Sequence, residues 1–177
     1  MRFNAVLAIF LLLGSSAGCL DEVDAFLDCG QRPSQDDRDW CYMEAGWQNH
    51  DLSYCGSIKR TDIKESCYFL VGTGSGDQTV CGMIQEDEDR RNWCYAVTTD
   101  DPSHCDAMNE ATLKSSCYED TGVKTGEASV CEKAASDNDR DWCFYNVARE
   151  KKDKSVCGRI TQKEVQTQCN MLPTGSG

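Results

Sequence analysis

Apolar positions in this chain come in short stripes centred on cysteine, and the stripes repeat. One kind follows an acid: Asp51-Leu52-Ser53-Tyr54-Cys55, Asp77-Gln78-Thr79-Val80-Cys81, Asp101-Pro102-Ser103-His104-Cys105, Glu127-Ala128-Ser129-Val130-Cys131 and Asp153-Lys154-Ser155-Val156-Cys157 share the pattern [DE]-x-[ST]-x-C. An apolar residue stands three places after each cysteine: Ile58, Ile84, Met108, Ala134 and Ile160. Aspartate is a strong helix N-cap because its carboxylate accepts the free N–H groups of the first turn, and proline, here Pro102, suits the first helical position. Each copy predicts a short helix that opens at the acid and buries its cysteine with the +3 residue. Cys29 lacks the full pattern, as a terminal copy does.

A second kind of stripe puts a long side chain three residues before cysteine: Arg38-Asp39-Trp40-Cys41-Tyr42, Arg91-Asn92-Trp93-Cys94-Tyr95 and Arg140-Asp141-Trp142-Cys143-Phe144. Lys64-Glu65-Ser66-Cys67-Tyr68 and Lys114-Ser115-Ser116-Cys117-Tyr118 alternate with them, and Gln166-Thr167-Gln168-Cys169-Asn170 comes last. With Ala45, Val97 and Val147 three or four places on, each cysteine lies on one helical face. Ser34-x-x-Asp37, Ser136-x-x-Asp139 and Thr161-x-x-Glu164 predict capping boxes where these longer helices open.

The two stripes alternate with a period of about 26 residues, the signature of a repeat architecture. From Cys29 on, cysteines stand at 29, 41, 55, 67, 81, 94, 105, 117, 131, 143, 157 and 169, so gaps of 12 or 13 alternate with gaps of 11 to 14. Bridged cysteines have Cα atoms roughly 4.4–6.8 Å apart, whereas twelve residues of continuous helix span about 18 Å. The chain therefore turns between bridged cysteines, and each unit is a short helix folded back on a longer one. Pairing inside units (29–41, 55–67, 81–94, 105–117, 131–143, 157–169) uses every cysteine from 29 to 169. A register shifted by one strands Cys29 and Cys169 at opposite ends; sequence favours the first scheme without proving it. Tryptophan precedes cysteine only in alternate units, which groups them into three super-repeats of about 50 residues (29–76, 77–126, 127–177), each closing in threonine and glycine. The expected fold is all-α: a solenoid-like array of six disulfide-stapled helical hairpins. Each bridge closes a loop worth about 3 kcal/mol in the loop-entropy model, which compensates for units too short to bury a large core.

The start of the chain reads differently. Met1-Arg2-Phe3-Asn4 is a basic start, residues 5–14 are an apolar run too short to span a bilayer comfortably, and small residues follow. Residues 1–18 read as a signal peptide. Ser16-Ala17-Gly18-Cys19 resembles the lipobox of prokaryotic lipoproteins, departing from it at Ser16, where leucine is usual. The resemblance implies lipidation of Cys19, with 19–28 as an acidic lead-in and the lipid as the membrane contact. Parity agrees: of thirteen cysteines, twelve are left to pair. The whole resembles small cysteine-rich helical-repeat lipoproteins of prokaryotes, a grouping that implies export and anchoring at the outer face of a membrane or envelope and no single activity.

Charge narrows the partners. Removing residues 1–18 takes Arg2 and no acid, moving the formal net charge from −12 to −13. Nucleic acid is disfavoured, since phosphate binding needs a basic surface. The acidic runs Asp36-Asp37, Glu86-Asp87-Glu88-Asp89 and Asp137-Asn138-Asp139 lack the glycine and distal glutamate of an EF-hand loop. They suit helix N-termini and are compatible with weak divalent cation binding. No CxxC knuckle, P-loop, GxSxG or zincin motif occurs, so neither metal, cofactor nor catalytic residue is expected. His50 and His104 read as surface residues of inter-unit turns.

One candidate face remains. Arg38, Trp40, Arg91, Trp93, Arg140 and Trp142 recur at equivalent helical positions and would line a face of a curved array. The competing expectation pairs each arginine with an acid of a neighbouring unit and packs Trp40, Trp47, Trp93 and Trp142 between units. The function best matched to these features is a membrane-tethered extracytoplasmic module that binds or scaffolds a protein or glycan. The alternatives are a structural envelope component without a discrete ligand and, less well supported, a hydrolase with a site assembled across units.

Overall fold

The acids of the short pattern cap helices. Asp51, Asp77, Asp101 and Asp153 accept the N–H of Ser53, Thr79, Ser103 and Ser155 at 2.8 to 2.9 Å. A computed structural model describes residues 28–173. The expected signal peptide, Cys19 with its expected lipidation, most of the lead-in and the last four residues lie outside them.

After a helical turn at 28–30 the chain forms α1 (Gln35–Asn49), α2 (Leu52–Ser57), α3 (Thr61–Ser75), α4 (Gln78–Cys81), α5 (Glu88–Thr99), α6 (Ser103–Asp106) and α7 (Ala111–Thr125). A 3-10 turn (Ala128–Lys133), α8 (Asp137–Lys151), a second 3-10 turn (Lys154–Arg159) and α9 (Lys163–Asn170) complete it. Short and long elements alternate throughout, and no strand occurs among the described residues. Pro102 stands one place ahead of α6, as its N-cap.

Six disulfides staple the hairpins within units: Cys29–Cys41, Cys55–Cys67, Cys81–Cys94, Cys105–Cys117, Cys131–Cys143 and Cys157–Cys169, with Cα separations of 5.3 to 5.8 Å. The +3 residues Ile58, Ile84, Met108 and Ile160 are buried beside them. Each long helix packs on the next, α1 on α3, α3 on α5, α5 on α7, α7 on α8 and α8 on α9. The core is accordingly a string of small clusters built around disulfides, the nearest-neighbour organisation of a solenoid.

Glycine permits the closest approaches. A Cβ on Gly46 of α1 would lie 3.0 Å from Cys67 Sγ of the next unit, and one on Gly72 of α3 would lie 3.2 Å from Cys94 Sγ. At the helix ends, Gly76 and Gly126 adopt φ of 72° and 82° after α3 and α7. These are the left-handed terminations that the glycines predict.

Candidate functional site

The residue two places before the second cysteine of a unit builds four of the five junctions. Asp39 accepts the backbone N–H groups of Lys59 (3.0 Å) and Arg60 (2.9 Å), where α3 begins without a side-chain cap of its own. Glu65 accepts those of Gln85, Glu86 and Asp87 ahead of α5 at 2.7 to 3.0 Å. Asp141 accepts those of Thr161 and Gln162 ahead of α9, the latter at 2.8 Å, together with the Thr161 hydroxyl. Ser115 Oγ accepts the Ala135 N–H at 3.0 Å, and α8 is also capped by its own Ser136. In the third unit that position is Asn92, and the task passes to Asp89, one turn earlier. Its carboxylate takes the Asn109 and Glu110 N–H groups at 2.9 and 2.8 Å. All five junctions are thus closed by a side chain of one unit bonding the backbone about 20 residues later.

Asp39, Glu65 and Asp141 are buried, which by itself raises a carboxyl pKa. The N–H groups they accept outweigh that penalty and hold all three below the ordinary range. They are capping groups in their ionised form, not acids poised to exchange protons near neutrality. The Thr161 capping box does not form, because the Thr161 hydroxyl is spent on Asp141 and the box position gives α9 no side-chain cap. The Ser34 and Ser136 boxes do cap their helices, accepting the Asp37 and Asp139 N–H groups.

The relay stops at both ends of the described array. The N–H eight residues before the second cysteine is a donor in units two to six: Lys59, Glu86, Asn109, Ala135 and Thr161. In the first unit that residue is Pro33, which has no N–H. In the last unit the acceptor position is Thr167, whose hydroxyl turns back to the Lys163 carbonyl.

The arginine–tryptophan row takes unlike environments. Arg38 donates to the Arg32 carbonyl and to Gln35. Arg91 donates to the Ile84 carbonyl and pairs with Glu88, and Arg140 pairs with Asp137. All three stay within their own unit, correcting the expected pairing with a neighbouring unit; loop carbonyls and i,i+3 acids lie nearer. Trp93 does pack between units, with its ring 4.9 Å from Phe69 of α3 and its Nε1–H donated to Asp120 of α7. Trp142 is 37% exposed and meets Tyr145 of its own helix edge-on. Trp40 and Trp47 are 55% and 50% exposed. They do not pack between units; the long helix that α1 packs on is α3.

The surviving acidic cleft, of about 500 Å³, lies where α3, α5 and α7 begin, around Asp62, Glu65 and residues 86–89. Five of its six carboxylates are engaged: Glu65 and Asp89 in the relay, Asp87 on the Arg90 N–H, Asp62 with Arg60 and Glu88 with Arg91. Among the described residues no group of three or more His, Cys, Asp or Glu side chains is arranged to hold a metal ion. The histidines are structural: His50 ends α1 in a left-handed conformation, and the His104 ring lies 5.5 Å from that of Tyr95.

What the geometry offers chemically is therefore a stiff scaffold with one open aromatic helix face. No family model matches the chain, and neither a curated protein nor a solved structure shows detectable similarity to it.

Proposed function

We propose that the mature chain is a membrane-tethered extracytoplasmic module that binds a protein or glycan and holds it on a rigid scaffold. The exposed Trp40 and Trp47 carry this reading, because they stand open on a long helix in a chain whose cysteines and junction acceptors are consumed by disulfides and caps. Tryptophan is enriched at binding hot spots, and a face that is already ordered loses little conformational entropy on binding. Ser16-Ala17-Gly18-Cys19 supplies the tether. Six disulfides fit an oxidising space outside the cytoplasm.

The test is made on protein in its native membrane. Intact mass and peptide mapping should find a thioether-linked diacylglycerol on Cys19. A photo-crosslinker at Gln48, on the last turn of α1, should capture one partner on intact cells in preference to abundant neighbours. Crosslinks distributed by abundance alone would overturn the binding role in favour of a structural envelope component.

A further inference from the structure

The outer face of α1 alternates acid and aromatic. Asp37, Trp40, Glu44 and Trp47 follow one another at i, i+3, i+7 and i+10, a single helical stripe, with Met43 beside it. All four stripe residues are exposed, and among the described residues neither Asp37 nor Glu44 is paired with a cation.

The same face leaves its disulfide uncovered. Cys41 is half-buried, whereas the second cysteine of every other unit is fully enclosed. Two hollows, of about 460 and 160 Å³, meet at Cys41 and Glu44. Trp93, which holds the equivalent place in the third unit, has an aromatic ring of the preceding helix packed against it. On α1 Trp40, in the same place, stands open.

Three occupants fit poorly. A second copy stacked in the register of the array would need an N–H at Pro33 to meet the acceptor position of its neighbour, and proline has none. Residues 20–27 of this chain carry Asp21, Glu22 and Asp24 and no base, so they would set like charge against Asp37 and Glu44. An anionic lipid surface meets the same repulsion.

We propose that the outer face of α1 docks a basic amphipathic helix of a protein partner, with its apolar side on Trp40, Met43 and Trp47 and its cations on Asp37 and Glu44. This is recognition of a helix in a groove, with anchors at i, i+3 and i+7. It rests on the reading of the chain as a binding module and names the class of partner.

The test uses the processed, disulfide-intact chain labelled with 5-fluorotryptophan, whose four tryptophans give four fluorine signals. The probe is an amphipathic leucine–lysine peptide as long as the 15-residue α1. Titration should shift the Trp40 and Trp47 signals and leave Trp142 in place. Trp40→Ala with Trp47→Ala should weaken binding about tenfold or more, and Glu44→Lys should weaken it without touching an aromatic. Equal binding by these variants, or by a leucine–glutamate peptide, would overturn the proposal. So would shifts at Trp40 and Trp47 caused by phosphatidylcholine vesicles alone, which would make the face a lipid contact. Shifts that depend only on protein concentration would reassign it to a second copy. Failure with the peptide while crosslinking at another face captures a partner would remove this proposal and leave the binding role standing.

Discussion

Asp39 Oδ2 accepts the backbone N–H of Arg60 at 2.9 Å, tying the long helix of one hairpin to the first turn of the next. The N–H groups at a helix N-cap and just ahead of it lie outside the intrahelical ladder. In this array the unit before meets them, so a disulfide closes each hairpin and a side-chain acceptor joins each pair of hairpins. Removing a junction acceptor should therefore cost more than removing an acid of similar position on the surface. Asp141→Ala removes the acceptor of the Thr161 and Gln162 N–H groups at a part-buried junction, and should lower unfolding free energy by about 2–3 kcal/mol. Ser115→Ala removes a single bond at a helix that keeps its own Ser136 cap and should cost about 1 kcal/mol. Denaturant titration of the oxidised protein ranks the two, and a reversed order would refute the junction assignment.

Acidification should loosen the junctions. Asp39, Glu65 and Asp141 have folded pKa values below the ordinary carboxylate range, so the stability they contribute is complete above their unfolded values of about 4. It is lost as pH falls through the depressed folded values. Total stability also carries the relief of a large negative net charge on acidification, so the informative quantity is a difference. The stability gap between the native chain and Asp141→Asn should be constant from neutrality to about pH 5 and should shrink below about pH 4. A gap that widens on acidification would contradict the ionised cap.

Two glycines should respond with opposite sign. Alanine normally improves a helix by about 1 kcal/mol relative to glycine. At Gly56 a Cβ meets nothing within 4 Å, so Gly56→Ala should stabilise by several tenths of a kcal/mol or more. At Gly46 the same atom lies 3.0 Å from Cys67 Sγ and 3.3 Å from the Asp51 carbonyl oxygen, neither of which can yield easily. Gly46→Ala should therefore destabilise by about 1–3 kcal/mol. Thermal melts of the two variants give the sign directly.

The hairpins were legible in the sequence because their signals are local and uniform. The aspartate of [DE]-x-[ST]-x-C caps the residue two places on, which Glu127 does not, and a cysteine every 11 to 14 residues marks the turns. The junctions were not legible, because the acceptor position changes chemistry from unit to unit: Asp39, Glu65, Asn92, Ser115, Asp141, Thr167. Only the ability to accept a hydrogen bond unites the ones that serve, and at Asn92 the task moves to Asp89. Pro33, aligned with five donors, was the available sign that N–H groups at that register need a partner. In the candidate face, the recurrence of Arg38, Arg91 and Arg140 was plain. That Trp93 packs on Phe69 while Trp40 and Trp142 stand exposed is not encoded by the motif itself.

Native-state hydrogen exchange tests the junction relay most directly. Amides outside the helical ladder, at and just ahead of an N-cap, ordinarily exchange fast, so the account predicts marked protection at Lys59, Arg60, Glu86, Asn109, Glu110, Thr161 and Gln162. Asp36, in the first turn of α1 where no described residue of an earlier unit supplies an acceptor, should exchange quickly. Asp141→Ala should deprotect Thr161 and Gln162 while leaving Lys59 and Arg60 slow. Relay amides that exchange as fast as Asp36 in the native chain would contradict the account.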